Sequence, residues 1–303
     1  MRVEDIKKVL ILGAGTMGHQ IGFLCASHGF EVALFDVDQG VLDKAMARLE
    51  KLADRMARRG AMTQDQARAA LARVRPFTDP AEAAAGADLI SESVPEDPRL
   101  KGRVFAQFHA LCPPRTVFTT NTSTLVPSMF ASETGRPERL VALHFHDVAL
   151  TNIVDVMPHP GTDPEATALV ERFAEAIGQI PIVLSRENPG YVFNTMLSEW
   201  FKAAQSLAAN GVAEPRDVDR AWMGVMHAPV GPFGIMDTVG LDTVWKITEF
   251  WAKKLGDPQA QRNADFMKSY VDQGRLGVKT SHGVYDYPDP DWGKPGFVEG
   301  KKD

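Results

Sequence analysis

A chain of 303 residues, 44% of them hydrophobic, is long enough for two domains with a buried core. Its net charge of −6 argues against nucleic acid or an anionic membrane as partner. The two cysteines, Cys25 and Cys112, form neither a disulfide framework nor a metal-ligand spacing, and suit a reducing cytoplasm.

Taken in order, Met1–Lys8 and the short apolar run Val9–Leu12 lack the length and cleavage site of a signal peptide. No later segment approaches the roughly 20 apolar residues of a membrane span, so a soluble cytoplasmic chain is expected. Val9–Leu12, Glu31–Phe35, Asp88–Ser91, Thr116–Thr119, Leu140–Phe145 and Ile180–Leu184 read as strands. The segments between them, such as Thr16–His28 and Gln39–Arg59, have helical spacing. That alternation implies an α/β, Rossmann-like domain whose mostly parallel sheet carries helices on both faces. Pro and Gly in Glu187-Asn188-Pro189-Gly190 mark a break. Beyond it Tyr191–Asn210, Glu214–Met226, Leu241–Leu255 and Gln259–Gln273 are helical, so an all-α domain is expected over residues 188–303 after an α/β domain over 1–187. The tail, Tyr287–Asp303, reads as irregular.

The first strand runs into Gly13-Ala14-Gly15-Thr16-Met17-Gly18, the G-x-G-x-x-G fingerprint between a strand and a helix. Gly13 permits the tight turn, Gly15 lets the backbone approach a pyrophosphate, and Gly18 lets helix and strand pack closely. The helix start at Thr16 and Met17 offers free N–H groups to that anion. Asp36, ending the second strand, suits the adenosine ribose hydroxyls, and neither Val37 nor Asp38 is an arginine that would hold a 2′-phosphate. NAD is therefore the expected cofactor.

Further motifs follow in order: Asn121-Thr122-Ser123-Thr124-Leu125, Leu143-His144-Phe145, Pro189-Gly190-Tyr191-Val192-Phe193-Asn194, Ala228-Pro229-Val230-Gly231-Pro232-Phe233, Asp237-Thr238-Val239-Gly240-Leu241-Asp242, and Gly277-Val278-Lys279-Thr280-Ser281-His282-Gly283-Val284-Tyr285. Together they resemble the 3-hydroxyacyl-CoA dehydrogenase family from about Lys8 to Tyr287. The resemblance implies NAD-dependent oxidation of a 3-hydroxyacyl thioester by a Rossmann domain joined to a helical domain that dimerises. Ser123 would then hydrogen-bond the reacting oxygen, His144 would be the catalytic base, and Asn194 would orient the substrate. Glu96 and Lys101, in the run Glu92 to Lys101, would line the cofactor, as would Lys279.

Histidine suits the base because its pKa lies near neutrality. The family's supporting Glu falls about twelve residues after the histidine, where this chain has Val156. Asp155, one residue earlier, is taken as its replacement, across a one-residue deletion. His144 and His146, two apart on a strand, also share a face, but a metal pair without further ligands at sensible spacing is set aside.

Two stretches bear on the substrate. Asp147-Val148 replaces the family's Asn-Pro, and Ser198 shares a helical face with Asn194, which suits a polar substrate; Glu199 and Lys202 are expected to face solvent and pair with each other. Lys44, Arg48, Lys51 and Arg55, followed by Arg58 and Arg59, form a basic stripe where the family meets coenzyme A, although Asp43, Glu50 and Asp54 interleave as on an ordinary charged surface. A dehydrogenase of a small polar 3-hydroxy acid, like the gulonate and carnitine dehydrogenases, is the rival reading. Gly190, four residues before Asn194, argues against the separate β-hydroxyacid dehydrogenases, which place a lysine there. A small-molecule substrate, no nucleic acid, no membrane and a homodimer complete the expectation.

Overall fold

The short apolar runs of the first half become β1 (Lys8–Leu12), β2 (Glu31–Phe35), β3 (Val74–Phe77), β4 (Leu89–Glu92), β5 (Val117–Thr120), β6 (Leu140–Phe145), β7 (Ile153–Pro158) and β8 (Ile180–Val183). A computed structural model describes residues 1–148 and 150–300. It joins these strands in one sheet of order β3-β2-β1-β4-β5-β6-β7-β8. All neighbours are parallel except β6 and β7. Chain order reverses at β1, between β2 and β4, which is the switch point where open α/β sheets bind ligands beyond their strand ends. β1 and β4 are almost wholly buried, as expected of strands covered on both faces.

Two strands have no counterpart in the sequence reading. β3 is four residues with a proline inside, tolerated because β3 is an edge strand. β7 returns antiparallel beside β6 after a short connection, a pairing invisible to local periodicity.

Helices cover this sheet: α1 (Thr16–Ser27), α2 (Gln39–Arg58), α3 (Gln64–Arg73), α4 (Pro80–Ala84), α5 (Pro98–Leu111) and α6 (Pro164–Ala176). Their starts are chemically explicit. Asp79, Asp97 and Asp163 each precede a proline at the first helical position and accept N–H groups of the following turn. The carboxylate satisfies orphan donors, while proline has no N–H to leave unpaired. Asp38 caps α2 in the same way without proline.

The chain divides into two compact units, Met1–Phe193 and Asn194–Asp303. The second contains α7 (Phe193–Ala209, counted from its first residue), α8 (Pro215–Met226), α9 (Pro232–Val239), α10 (Leu241–Leu255) and α11 (Pro258–Val271); α9 falls in a stretch read only as a motif. Its core gathers Phe233, Met236, Leu241, Val244, Met267 and Tyr285. Two fully buried carboxylates organise it. Asp219 accepts from Phe233 N (2.8 Å), Gly234 N (3.0 Å) and Tyr285 Oη (2.9 Å). Asp237 accepts from Val284 N (2.8 Å), Tyr285 N (2.9 Å) and Tyr287 Oη (3.0 Å). Burial pushes Asp219 up to about 6. A Cβ on Gly283 would lie 2.1 Å from Asp237 Oδ1, and one on Gly231 2.4 Å from Asp219 Cγ. The late glycine motifs therefore serve packing. The tail is irregular but not loose: Phe297 is 3% exposed, and Arg216 stacks on its ring while pairing with Asp291. Residues 301–303 of that tail lie outside the described residues.

Candidate active site

The glycine loop joins β1 to α1. Gly13 has φ +94°, and a Cβ there would lie 2.8 Å from the Ser93 carbonyl oxygen, so only glycine fits. A Cβ on Gly18 would collide with the Gly13 carbonyl oxygen at 1.8 Å. Gly15 differs: a Cβ there meets nothing within 4 Å. No side chain caps α1 at Gly15, so the first-turn N–H groups, including those of Thr16 and Met17, meet no capping side chain. Asp36 receives Ala14 N on one carboxylate oxygen (2.9 Å) and Asp38 N on the other (3.1 Å). Each oxygen retains a lone pair for a ribose hydroxyl. Open space above Gly15, uncapped N–H groups and an anchored carboxylate fit a dinucleotide.

Beyond the ends of β4 and β5 lies a second cluster. Lys101 on α5 is 1% exposed; its ammonium reaches Glu92 Oε1 (2.7 Å), Glu96 Oε2 (3.2 Å) and the Val94 carbonyl (3.1 Å). Three acceptors saturate its three N–H groups. Lys101, expected along the cofactor, thus stands behind Glu96 rather than open to a ligand. Burial pushes Glu92 up, against the pull of Lys101. Glu96 stays below the ordinary carboxylate range despite burial, because Thr122 Oγ1, Lys101 and Ser123 N stabilise its charge. Glu96 Oε1 accepts from the Thr122 hydroxyl, Ser123 N (2.9 Å), and Thr124 N and Oγ1 (3.3 and 3.2 Å). One carboxylate therefore fixes the whole Thr122–Thr124 turn. Ser123 Oγ has no hydrogen-bond partner among the described residues.

Asn121 links this turn to the next strand, its Oδ1 accepting from Phe145 N at 2.7 Å. There β6 and β7 pair antiparallel with His144 opposite Asp155 and Leu143 opposite Val156. Opposed residues of a ladder share a face, so the two polar side chains meet while Val156 enters the core. His144 Nδ1 lies 3.0 Å from Asp155 Oδ2, both side chains being buried. Tyr191 stacks on His144 with ring centroids 4.7 Å apart. His146, two residues on, brings Nε2 to 3.2 Å from the same Asp155 oxygen. Burial tends to raise Asp155, yet its contacts with both imidazoles hold it below the ordinary range, so it is ionised at neutral pH. The sequence reading passed over Glu92 and Tyr191, whose partners are far off in the chain. It considered His146 only as half of a metal pair.

The remaining candidates lie in the second unit. Asn194 is at the start of α7. Ser198 Oγ donates to the Thr195 carbonyl (2.9 Å). Lys202 pairs with Asp257 at 3.5 Å and not with Glu199, because α11 presents a carboxylate at its cap. Lys279 is held by Asp242.

Residues 8–188 match the family described as 3-hydroxyacyl-CoA dehydrogenase, NAD binding domain, and residues 190–287 match its C-terminal domain. The chain is 32% identical over 284 residues to a probable 3-hydroxybutyryl-CoA dehydrogenase of Bacillus subtilis (strain 168), covering 93% of this chain and 98% of the relative. It is likewise 32% identical to a 3-hydroxybutyryl-CoA dehydrogenase of Clostridioides difficile, covering 92% and 99%. Among solved structures, a diketoreductase described as catalysing reactions of dicarbonyl compounds shares 39% identity with a TM-score of 0.87, covering 93% and 99%. The (S)-3-hydroxybutyryl-CoA dehydrogenase of Ralstonia eutropha shares 29% with a TM-score of 0.84, covering 94% and 100%.

Proposed function

The chain belongs to the 3-hydroxyacyl-CoA dehydrogenase family of NAD-dependent oxidoreductases, and from that premise we propose that it oxidises a 3-hydroxyacyl-CoA to the 3-keto thioester with His144 as base. The observation that carries the mechanism is the 3.0 Å contact of His144 Nδ1 with the buried Asp155 carboxylate. An ionised carboxylate only accepts, so Nδ1 carries the proton and Nε2 is left as the acceptor. Nε2 takes the proton of the substrate hydroxyl. Bound NAD supplies the hydride acceptor for the carbinol carbon. The hydroxyl of Ser123, without a hydrogen-bond partner among the described residues, donates to the reacting oxygen, and Glu96 holds the turn that presents it. Asn194 orients the substrate; Glu96 and Lys279 border the cofactor.

A thioester of coenzyme A brings phosphates, and α2 offers cations for them. Lys44, Arg48, Lys51, Arg55 and Arg58 recur at steps of four and three, hence on one face. All five are exposed, and none has an ion-pair partner among the described residues. The interleaved Asp43, Glu50 and Asp54 leave that stripe unneutralised by direct pairing.

A second reading is favoured by the likeness to the diketoreductase: a small polar keto or hydroxy compound without coenzyme A. Both readings are tested by following NADH absorbance with 3-hydroxyacyl-CoAs, free 3-hydroxy acids and, in reverse, diketones. The first expects kcat/KM to be highest for a thioester; a preference for free acids or diketones would replace it with the second. His144→Gln should lower kcat by roughly 10²–10⁴ while NAD still binds. Near-wild-type turnover would place the base elsewhere.

A further inference from the structure

Asp155 is approached by two histidines, and the proposed mechanism uses only one. His144 Nδ1 is hydrogen-bonded to Asp155 Oδ2 at 3.0 Å. His146 Nε2 lies 3.2 Å from that same oxygen, without the alignment of a hydrogen bond, and is buried with no other partner among the described residues. The two rings are edge-to-face with centroids 4.6 Å apart. Strand alternation makes this arrangement unavoidable: residues two apart near the end of β6 face the residue that β7 places opposite the first.

We propose that His146 is a positioning residue that sets the basicity of His144 by sharing the Asp155 carboxylate. This rests on the reading of His144 as the base. A ring nitrogen 3.2 Å from a carboxylate is favoured when it carries a proton, in the neutral Nε2–H tautomer and more strongly in the imidazolium, so His146 draws on the Asp155 charge in either form. His146 thus competes for the first proton that the cluster takes up as pH falls. One carboxylate compensates one imidazolium. With a proton on His146, a second on His144 meets a like charge one ring away, so His144 stays neutral, and able to accept the substrate proton, to lower pH than it would with Asp155 to itself.

The other groups facing the cluster leave this exchange intact. Tyr191 covers His144, and burial with the nearby Glu96, Asp155, Glu92 and Glu187 charges pushes its phenol far up, so it stays protonated. Phe193 packs edge-on against His146 at 5.4 Å and carries no charge. The three donor atoms lie within 4.8 Å of one another. Yet the 3.0 Å contact is a hydrogen bond, shorter than the ~3.3 Å between neighbouring ligand atoms around a tetrahedral zinc.

The test is the pH profile of kcat/KM for oxidation in His146→Phe and His146→Asn, beside His144→Gln and Asp155→Asn, with NAD binding and circular dichroism measured for each. Both His146 variants should move the acid limb to higher pH by about one unit. Asp155→Asn should move it to lower pH. An ordinary packing defect lowers the plateau without shifting the limb, and if the phenylalanine variant folds poorly the smaller asparagine variant carries the measurement. An unchanged or lowered limb in folded His146 variants overturns the proposal while leaving His144 as base, provided that His144→Gln is inactive. If His144→Gln stays active, the base reading fails and this proposal with it. Activity lost on dialysis against EDTA and restored by zinc overturns it in favour of a metal site.

Discussion

We propose that Asp36 decides cofactor choice with one carboxylate. Ala14 N and Asp38 N hold both its oxygens, so the side chain cannot swing away from an incoming 2′-phosphate. Asp36→Ala should raise the Kd for NAD and narrow the kcat/KM gap to NADP; equal kcat/KM for both cofactors in the wild type would contradict this. The glycine fingerprint and Asp36 were legible because their function depends on local spacing. Asp155 was harder to read. Eleven residues separate it from His144 and twelve separate Val156, and periodicity alone does not choose between them. Strand register does, since slipping one residue turns a side chain to the opposite face of the sheet.

The contact between β1 and α1 shows that two glycines of one motif answer to different constraints. A Cβ on Gly18 would lie 1.8 Å from the Gly13 carbonyl oxygen and 3.2 Å from Ile11 Cγ2, so Gly18→Ala must push helix off strand. It should cost about 1–3 kcal/mol in urea unfolding. Gly15, with φ −66° and open space where its Cβ would be, tolerates alanine in the fold. Gly15→Ala should keep wild-type stability and raise the Kd for NAD, because the methyl group occupies the approach to the pyrophosphate. The opposite pattern would mean that the loop binds nothing. The Asp-Pro starts of α4, α5, α6 and α11 are local capping signals that the sequence reading did not use. β3 and β7 offer no such signal. A four-residue edge strand with an internal proline has no local signature, and a returning strand is stabilised by its neighbour rather than by its own pattern.

At the scale of the whole molecule, the helical unit leaves apolar surface uncovered. On α10 Ile247, Phe250, Trp251 and Leu255 are 45–67% exposed, and on α8 Val225 and Met226 are 78% and 58% exposed. We propose that the exposed apolar face of α10 lies in an interface; a two-fold dimer is the commonest way for identical chains to cover such a face. Light scattering at micromolar concentration should give twice the 33.2 kDa chain mass, and Trp251→Glu should shift the population toward monomer. A wild-type mass of one chain would count against it. Among the described residues no helix is long and apolar enough to cross a membrane.

The sequence by itself determined the α/β-then-α order and the glycine loop with its acidic neighbour, because each is written in residue types at short, fixed spacing, and its family resemblance singled out His144 as the proposed base. Only the tertiary structure decided which carboxylate supports His144, that His146 approaches the same oxygen, and that Glu96 holds the Ser123 turn with Lys101 buried behind it. Those relations join residues up to 28 positions apart across neighbouring strand ends. Strand register and burial set them, and neither is a property of any local stretch of chain.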